Sequence, residues 1–63
     1  MEILNQHFVN FNLEYNKTLG EVLQLIVEDY EENNENKRFL VHQVIKVNKN
    51  GYEYSMILNE IHK

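Results

Sequence analysis

The pattern of apolar residues predicts one amphipathic helix between about Thr18 and Asn34. Apolar side chains recur there at spacings of three and four residues, as on the packed face of an α-helix. This stripe consists of Leu19, Val22, Leu23, Ile26 and Tyr30, widened by Leu25 and Val27. Thr18 and Glu21 fit a capping box, in which the hydroxyl accepts from the N–H three residues on and the carboxylate accepts from the N-cap amide. We therefore expect the helix to begin at Thr18.

A strand precedes the helix. Apolar and polar residues alternate from His7 to Tyr15, as in a strand with one face buried. Val9, Phe11, Leu13 and Tyr15 lie on the core side, and Phe8 falls on the other side. Residues 1–6 show no period, so they form either an arm or an extension of this strand.

Two further strands, 38–48 and 52–61, are joined by Lys49-Asn50-Gly51. Asn-Gly between alternating segments is typical of a hairpin with a type I′ turn, because both residues accept positive φ. With Asn50 and Gly51 as the loop, Val44 opposes Ile57 and Leu40 opposes Ile61. A four-residue loop changes the partners and keeps the faces, because side chains alternate with a period of two.

These elements predict an α+β fold of order β-α-β-β, with one helix packed on one face of a three-stranded sheet. A strand order of 1-3-2 is favoured, because it makes the apolar third strand central and antiparallel to both neighbours. The 63 residues form a single domain, near the lower size limit for a stable core. The expected helix-facing residues are Val9, Phe11, Leu13, Ile45, Val47, Tyr54, Met56 and Leu58.

The other face of the sheet is also apolar in this arrangement. One helix covers only one face, so an exposed apolar cluster there indicates an interface. We expect self-association, giving a homodimer through the sheet face or edge. Two alternatives are an N-terminal arm with Ile3 and Leu4 folded across this face, and a different protein partner. The predicted self-association residues are Phe8, Leu40, Val44, Ile57 and Ile61.

Negative charge is concentrated in and just after the helix. Residues 18–36 hold six acids and no Lys or Arg, and the rest of the chain carries a charge of +2, which gives the net charge of −4. A row of carboxylates on a helix resembles the spaced charges of a phosphate backbone, and it could occupy the basic channel of a nucleic-acid enzyme. The alternative is a solvated helix face. The predicted partner-binding residues are Glu21, Glu28, Asp29, Glu31, Glu32 and Glu35.

Catalytic chemistry has little basis in the sequence. There is no Cys, and the single Ser, Ser55, lies within a strand without a nucleophile elbow. His7, His42 and His62 lack the spacing of a metal site. We therefore expect no catalytic residue, metal or cofactor. The net charge opposes direct binding to nucleic acid, and the absence of a signal peptide or a long apolar run predicts a cytoplasmic protein without membrane contact.

Composition adds an inference about origin. The chain has ten Asn and no Ala, Pro, Trp or Cys, a bias typical of AT-rich genomes such as those of low-GC bacteria and their phages. In element order and acidic helix it resembles small phage-encoded inhibitors that bind host transcription, replication or CRISPR machinery, without a shared motif. We expect a non-enzymatic binding protein that inhibits or regulates a larger, basic, nucleic-acid-handling protein. The alternative function is a structural module that self-assembles through the outer sheet face.

Overall fold

A computed structural model describes residues 2–62. The elements are β1 (Asn5–Asn12), α1 (Leu19–Glu32), β2 (Lys37–Lys46) and β3 (Glu53–His62). The strands form one sheet of order β1-β3-β2, in which β3 is antiparallel to both neighbours. The predicted α+β fold and its strand order are confirmed. No helix within the described residues has the length and apolar character that crossing a membrane requires.

The start of α1 follows the predicted capping pattern in part. Thr18 is the N-cap, and its Oγ1 accepts from the Glu21 N–H at 3.2 Å. The Glu21 carboxylate accepts from the Thr18 hydroxyl at 3.0 Å, where the sequence predicted a bond to the backbone amide. At the other end, the Asn33 side-chain amide donates to the Asp29 carbonyl at 2.9 Å and closes the last turn. Local side-chain bonds thus define both ends of α1.

The first strand begins earlier and ends earlier than predicted. The Leu4 N–H donates to the Glu60 carbonyl at 2.8 Å, so the N-terminal residues continue alongside β3. Leu13 still pairs with Tyr52, but a turn closed by Lys17 N–H to Glu14 O at 3.0 Å then directs the chain towards the helix. Tyr15 was expected on the core side and is instead 94% exposed, because it lies within this turn.

The core lies between α1 and one face of the sheet. Phe39, Met56 and Leu58 are buried at its centre. The helix runs closest to β2, at one edge of the sheet, which explains why Phe39 is central although the sequence did not single it out. Partly buried residues complete the core: Val9, Phe11, Leu23, Ile26, Val27, Tyr30 and Val44.

The hairpin between β2 and β3 has a longer loop than predicted. The Gly51 N–H donates to the Asn48 carbonyl at 3.1 Å, and the Val47 N–H donates to the Glu53 carbonyl at 2.9 Å, which closes the loop. No described residue has a positive φ. The turn is therefore not of type I′, and five residues, 48–52, lie between the last paired positions. Compared with the predicted two-residue loop, the pairing of β2 with β3 is shifted by one residue. This shift exchanges the two faces of β2 next to the loop.

This reversal corrects three predicted positions. Val44 pairs with Met56 and packs against the core, so its prediction as an outer-face residue is wrong. Ile45 pairs with Ser55 on the outer face, and both Ile45 and Val47 are exposed, although the sequence placed them against the helix.

A β-bulge restores the predicted faces in the first half of β2. The register shifts by one residue between Val41 and Gln43, so His42 is the additional residue. The additional residue exchanges the two faces of β2 on either side of the bulge. As a result Phe39 again faces the helix, and Leu40 faces outwards as predicted.

Candidate functional site

The solvent side of α1 carries a surface that we call the acidic face. At 100° per residue, its members lie opposite the packed residues of the helix. Leu25 lies on this face, between Glu21 and Glu28 along the helix axis, and is 52% exposed, so its assignment to the packed stripe is wrong. A shallow depression is lined by Leu25, Glu21, Gln24 and Glu28. The acidic face consists of Glu21, Gln24, Leu25, Glu28 and Glu32, all of which are exposed.

The carboxylates of the acidic face form a spaced row. With a rise of about 1.5 Å per residue, Glu21 and Glu28 are about 10 Å apart along the axis and Glu28 and Glu32 about 6 Å apart. The Gln24 side-chain amide donates to Glu28 Oε1 at 3.2 Å. Within residues 2–62 no Lys or Arg forms an ion pair with these carboxylates. Their charge is therefore not neutralised by any base among the residues that the structure describes.

The other predicted acids do not all join this row. Glu31 is half-buried, and its Oε2 accepts from the Phe39 N–H at 3.0 Å. This carboxylate connects the last turn of α1 to β2. Asp29 is exposed on the flank of the helix, and Glu35 lies in the turn after it. Of the six predicted contact residues, the structure aligns Glu21, Glu28 and Glu32.

The outer face of the sheet carries a second exposed surface, which we call the outer patch. Phe8 pairs with Ile57 and is 72% exposed. Because Leu4 runs alongside β3 and Phe8 remains open, the alternative of an arm folded across this face is not observed. Ile61 is only 7% exposed, which removes it from the accessible cluster. The outer patch consists of Phe8, Leu40, Ile45 and the half-buried Ile57.

A polar pair lies at the end of the core beneath the last turns of α1. His7 Nε2 and Glu60 Oε1 are 2.6 Å apart, and the His7 ring contacts those of Tyr30 and Phe39 at centroid distances of 5.6 and 5.4 Å. His7 lies on the same side of β1 as Val9 and Phe11, and the sequence did not indicate its partner. This partly buried pair joins β1 to β3.

The remaining histidines do not assemble into a metal site. His42 is the bulge residue of β2 and His62 ends β3, and both are exposed. No group of three or more metal-binding side chains occurs in the part of the chain that the structure describes.

Comparisons of the chain with protein-family models, with curated proteins and with solved structures find no match. The residue that sequence reasoning missed is Leu25. Its signal was its position in the helical period, since it lies four residues from Glu21 and three from Glu28, on the same side of the helix.

Proposed function

We propose that this chain is a non-enzymatic binding protein that inhibits or regulates a larger protein with a basic nucleic-acid-binding surface. The acidic face of α1 makes the contact and takes the place of a phosphate backbone. The observation that carries this proposal is the exposed Leu25 within a row of carboxylates that have no basic partner in the described chain.

Leu25 distinguishes this surface from an ordinary solvated helix face. Exposed single leucines are common, but this one lies in a depression bordered by Glu21 and Glu28. In protein interfaces, a few apolar anchors surrounded by a polar rim supply most of the binding free energy. The carboxylates would then guide the encounter with a basic partner, and Leu25 would supply the short-range contact.

The charge distribution supports a basic partner in particular. No Lys or Arg lies among the acids of α1, and salt screens such exposed charges over about 8 Å at physiological ionic strength. A basic channel built for nucleic acid offers regularly spaced positive charges to this row. The proposed partner is therefore a protein whose nucleic-acid binding this chain blocks by competition.

The experiment is affinity capture from a low-GC bacterial lysate, followed by identification of the captured protein and a competition assay with its nucleic acid. We expect capture of a nucleic-acid-handling protein at low salt, a loss of about tenfold or more in affinity at high salt, and displacement by nucleic acid. The triple variant Glu21→Gln, Glu28→Gln, Glu32→Gln should abolish capture. Leu25→Ala should weaken it by about tenfold.

A matched control separates the acidic face from the net charge. The triple variant Glu2→Gln, Glu14→Gln, Glu53→Gln removes the same charge from exposed acids outside the helix. It should capture the partner as the unmodified chain does. Equal capture by both triple variants, or capture that nucleic acid does not displace, would reject the proposed contact.

The second candidate function is a self-assembly module that uses the outer patch. The observation that favours it is the 72% exposure of Phe8 next to Ile57. Large apolar side chains grouped on one face are typical of interfaces between protein chains. In this case a charge placed within the patch on β2, as in Leu40→Glu, should dissociate the assembly.

A further inference from the structure

The two edges of the sheet differ in how they are protected against pairing. The β2 edge has a bulge at His42, and the helix lies closest to this strand. The Glu31 carboxylate accepts from the Phe39 N–H, so this edge donor is already bonded. The basic residues of the strand are Lys37, Arg38 and Lys46. Bulges, basic side chains and covering elements are the devices that keep edge strands from pairing with other chains.

The β1 edge has none of these devices within Asn5–Asn12. Its sequence NQHFVNFN contains no acid, Lys, Arg or Pro. The one titratable residue, His7, is turned towards Glu60 on the core side. The helix does not approach β1 as it approaches β2. An eight-residue strand of this kind is a template for a further strand.

Hydrogen bonding shows which backbone groups are open on this edge. The Leu13 N–H donates to Tyr52 O at 2.7 Å, in register with the β1–β3 ladder. In an antiparallel ladder, residues bonded in this way alternate with residues whose N–H and C=O point away from the partner. Val9 and Phe11 therefore bond to β3. The open N–H groups belong to Phe8 and Asn10, whereas the Gln6 N–H donates to Asn5 Oδ1 at 3.1 Å.

We propose that β1 is a dimerisation edge, on which a second copy of this chain places its own β1 in antiparallel orientation. A two-fold axis between Phe8 and Asn10 makes the interface self-complementary, because both copies offer the same alternate donors and acceptors. The product is a continuous six-stranded sheet of order β2-β3-β1-β1-β3-β2. On its new central strands, the half-buried Val9 of one copy faces Val9 of the other, and Phe11 faces His7.

Charge does not oppose a second copy at this edge, where the two β1 strands offer each other the same open groups. Each chain carries −4, so two copies repel unless their acids are kept apart. The acidic helices lie near β2, and five strand spacings of about 4.8 Å separate the two β2 strands, or about 24 Å. This distance is about three Debye lengths at physiological salt. The uncharged β1 edge is thus where two acidic chains can meet with little repulsion.

The test measures mass in solution by sedimentation equilibrium, from micromolar to near-millimolar concentration. The unmodified chain should reach twice the monomer mass. Asn10→Pro removes an open N–H and leaves the ladder to β3 intact, as proline in an edge strand permits. It should weaken dimerisation about tenfold or more, because both copies carry the substitution and the interface loses two hydrogen bonds. Asn10→Lys should act similarly by placing like charges across the axis.

Matched controls use the opposite edge. Lys46→Pro also removes an N–H that points away from β3, since the next residue, Val47, bonds to Glu53. Gln43→Lys adds the same charge on the same sheet face as Asn10→Lys. Both should dimerise normally, and circular dichroism melts should show that all variants are folded.

Amide exchange provides a second readout that does not depend on the variants. At concentrations that favour the dimer, the amides of Phe8 and Asn10 should exchange more slowly than in dilute protein. A monomeric unmodified chain, or a dimer that both Asn10 variants preserve, would overturn the proposal. Dissociation by Leu40→Glu without an effect of either Asn10 variant would assign the contact to the outer patch instead.

The proposed dimer and the proposed acidic contact can be tested independently of each other. The variant Glu21→Gln, Glu28→Gln, Glu32→Gln should dimerise at least as well as the unmodified chain, because its helices carry less charge. Conversely, Asn10→Pro leaves the acidic face unchanged. Capture of a partner by this variant as a monomer would show that the acidic contact does not require the dimer.

Discussion

Individual side chains show that a cluster of like charges need not share one role. Glu31 and Glu32 are adjacent in the sequence but differ in their surroundings. Glu31 is half-buried and accepts from the Phe39 N–H at 3.0 Å, whereas Glu32 is exposed on the acidic face. A carboxylate that accepts from a backbone N–H stabilises more than a neutral acceptor does. Glu31 therefore contributes to the fold and Glu32 to the surface.

Glu31→Ala should lower the free energy of unfolding by about 1 to 2 kcal/mol, because the Phe39 N–H at the edge of the core loses a charged acceptor. Glu31→Gln should cost less, since the amide oxygen can still accept. The measurement is chemical denaturation followed by circular dichroism.

Glu32→Ala is the control for this prediction. It removes the same charge from an exposed position and should change stability by less than about 0.5 kcal/mol. Equal losses for Glu31→Ala and Glu32→Ala would show that the bond to Phe39 does not stabilise the fold.

At the scale of elements, α1 depends on its ends and on its packing. A helix of 14 residues is marginal in isolation, so most of its stability comes from the face packed on the sheet. No residue of α1 is fully buried, and several acids lie near its C-terminal end, where the helix dipole opposes them. The N-cap therefore adds a measurable contribution to a helix that has little stability of its own.

Thr18→Ala should cost about 1 kcal/mol, because the Glu21 N–H loses its acceptor. For a domain of this size such a loss lowers the melting temperature by roughly 4 to 8 °C. Thr18→Ser retains the hydroxyl and should melt within about 2 °C of the unmodified chain. A melting temperature unaffected by Thr18→Ala would mean that water replaces the cap without loss.

At the scale of the whole molecule, two single-residue irregularities decide which side chains reach the core. The five-residue loop reverses the faces of the second half of β2, and the bulge at His42 reverses them again. Phe39 and Val44 can face the helix together only because the bulge lies between them. The loop and the bulge together therefore determine which side chains of β2 face the core.

Deletion of His42 should abolish cooperative unfolding, because either Phe39 or Val44 must then turn away from the core. Loss of a buried Phe side chain alone costs about 3 to 5 kcal/mol, which is most of the stability of a domain this small. The readout is a thermal melt followed by circular dichroism.

Deletion of Asn50 removes one residue from the exposed loop and serves as the control. It should leave a cooperative transition, because loops tolerate changes in length better than strands do. A cooperative melt of the His42 deletion with an unchanged midpoint would contradict the role assigned to the bulge.

Several features of this fold and of its candidate surfaces follow from local sequence. Thr18 and Glu21 indicate the helix start, the apolar period of α1 indicates its packed face, and the apolar third strand indicates the central position of β3. These predictions succeed because capping, amphipathicity and strand order depend on residues close in sequence or on simple rules of connection. The concentration of acids on α1 is visible in the same way.

The facing of β2, the separation of Glu31 from the acidic face and the unprotected β1 edge were decided by tertiary structure. A shift of one residue in the strand pairing reverses every side chain of the shifted segment, and the Asn50-Gly51 pair does not adopt the turn that its residues favour. Glu31 and Phe39 meet only because the helix packs beside β2. Local sequence specifies the elements, whereas the contacts between them specify which side chains remain free to bind.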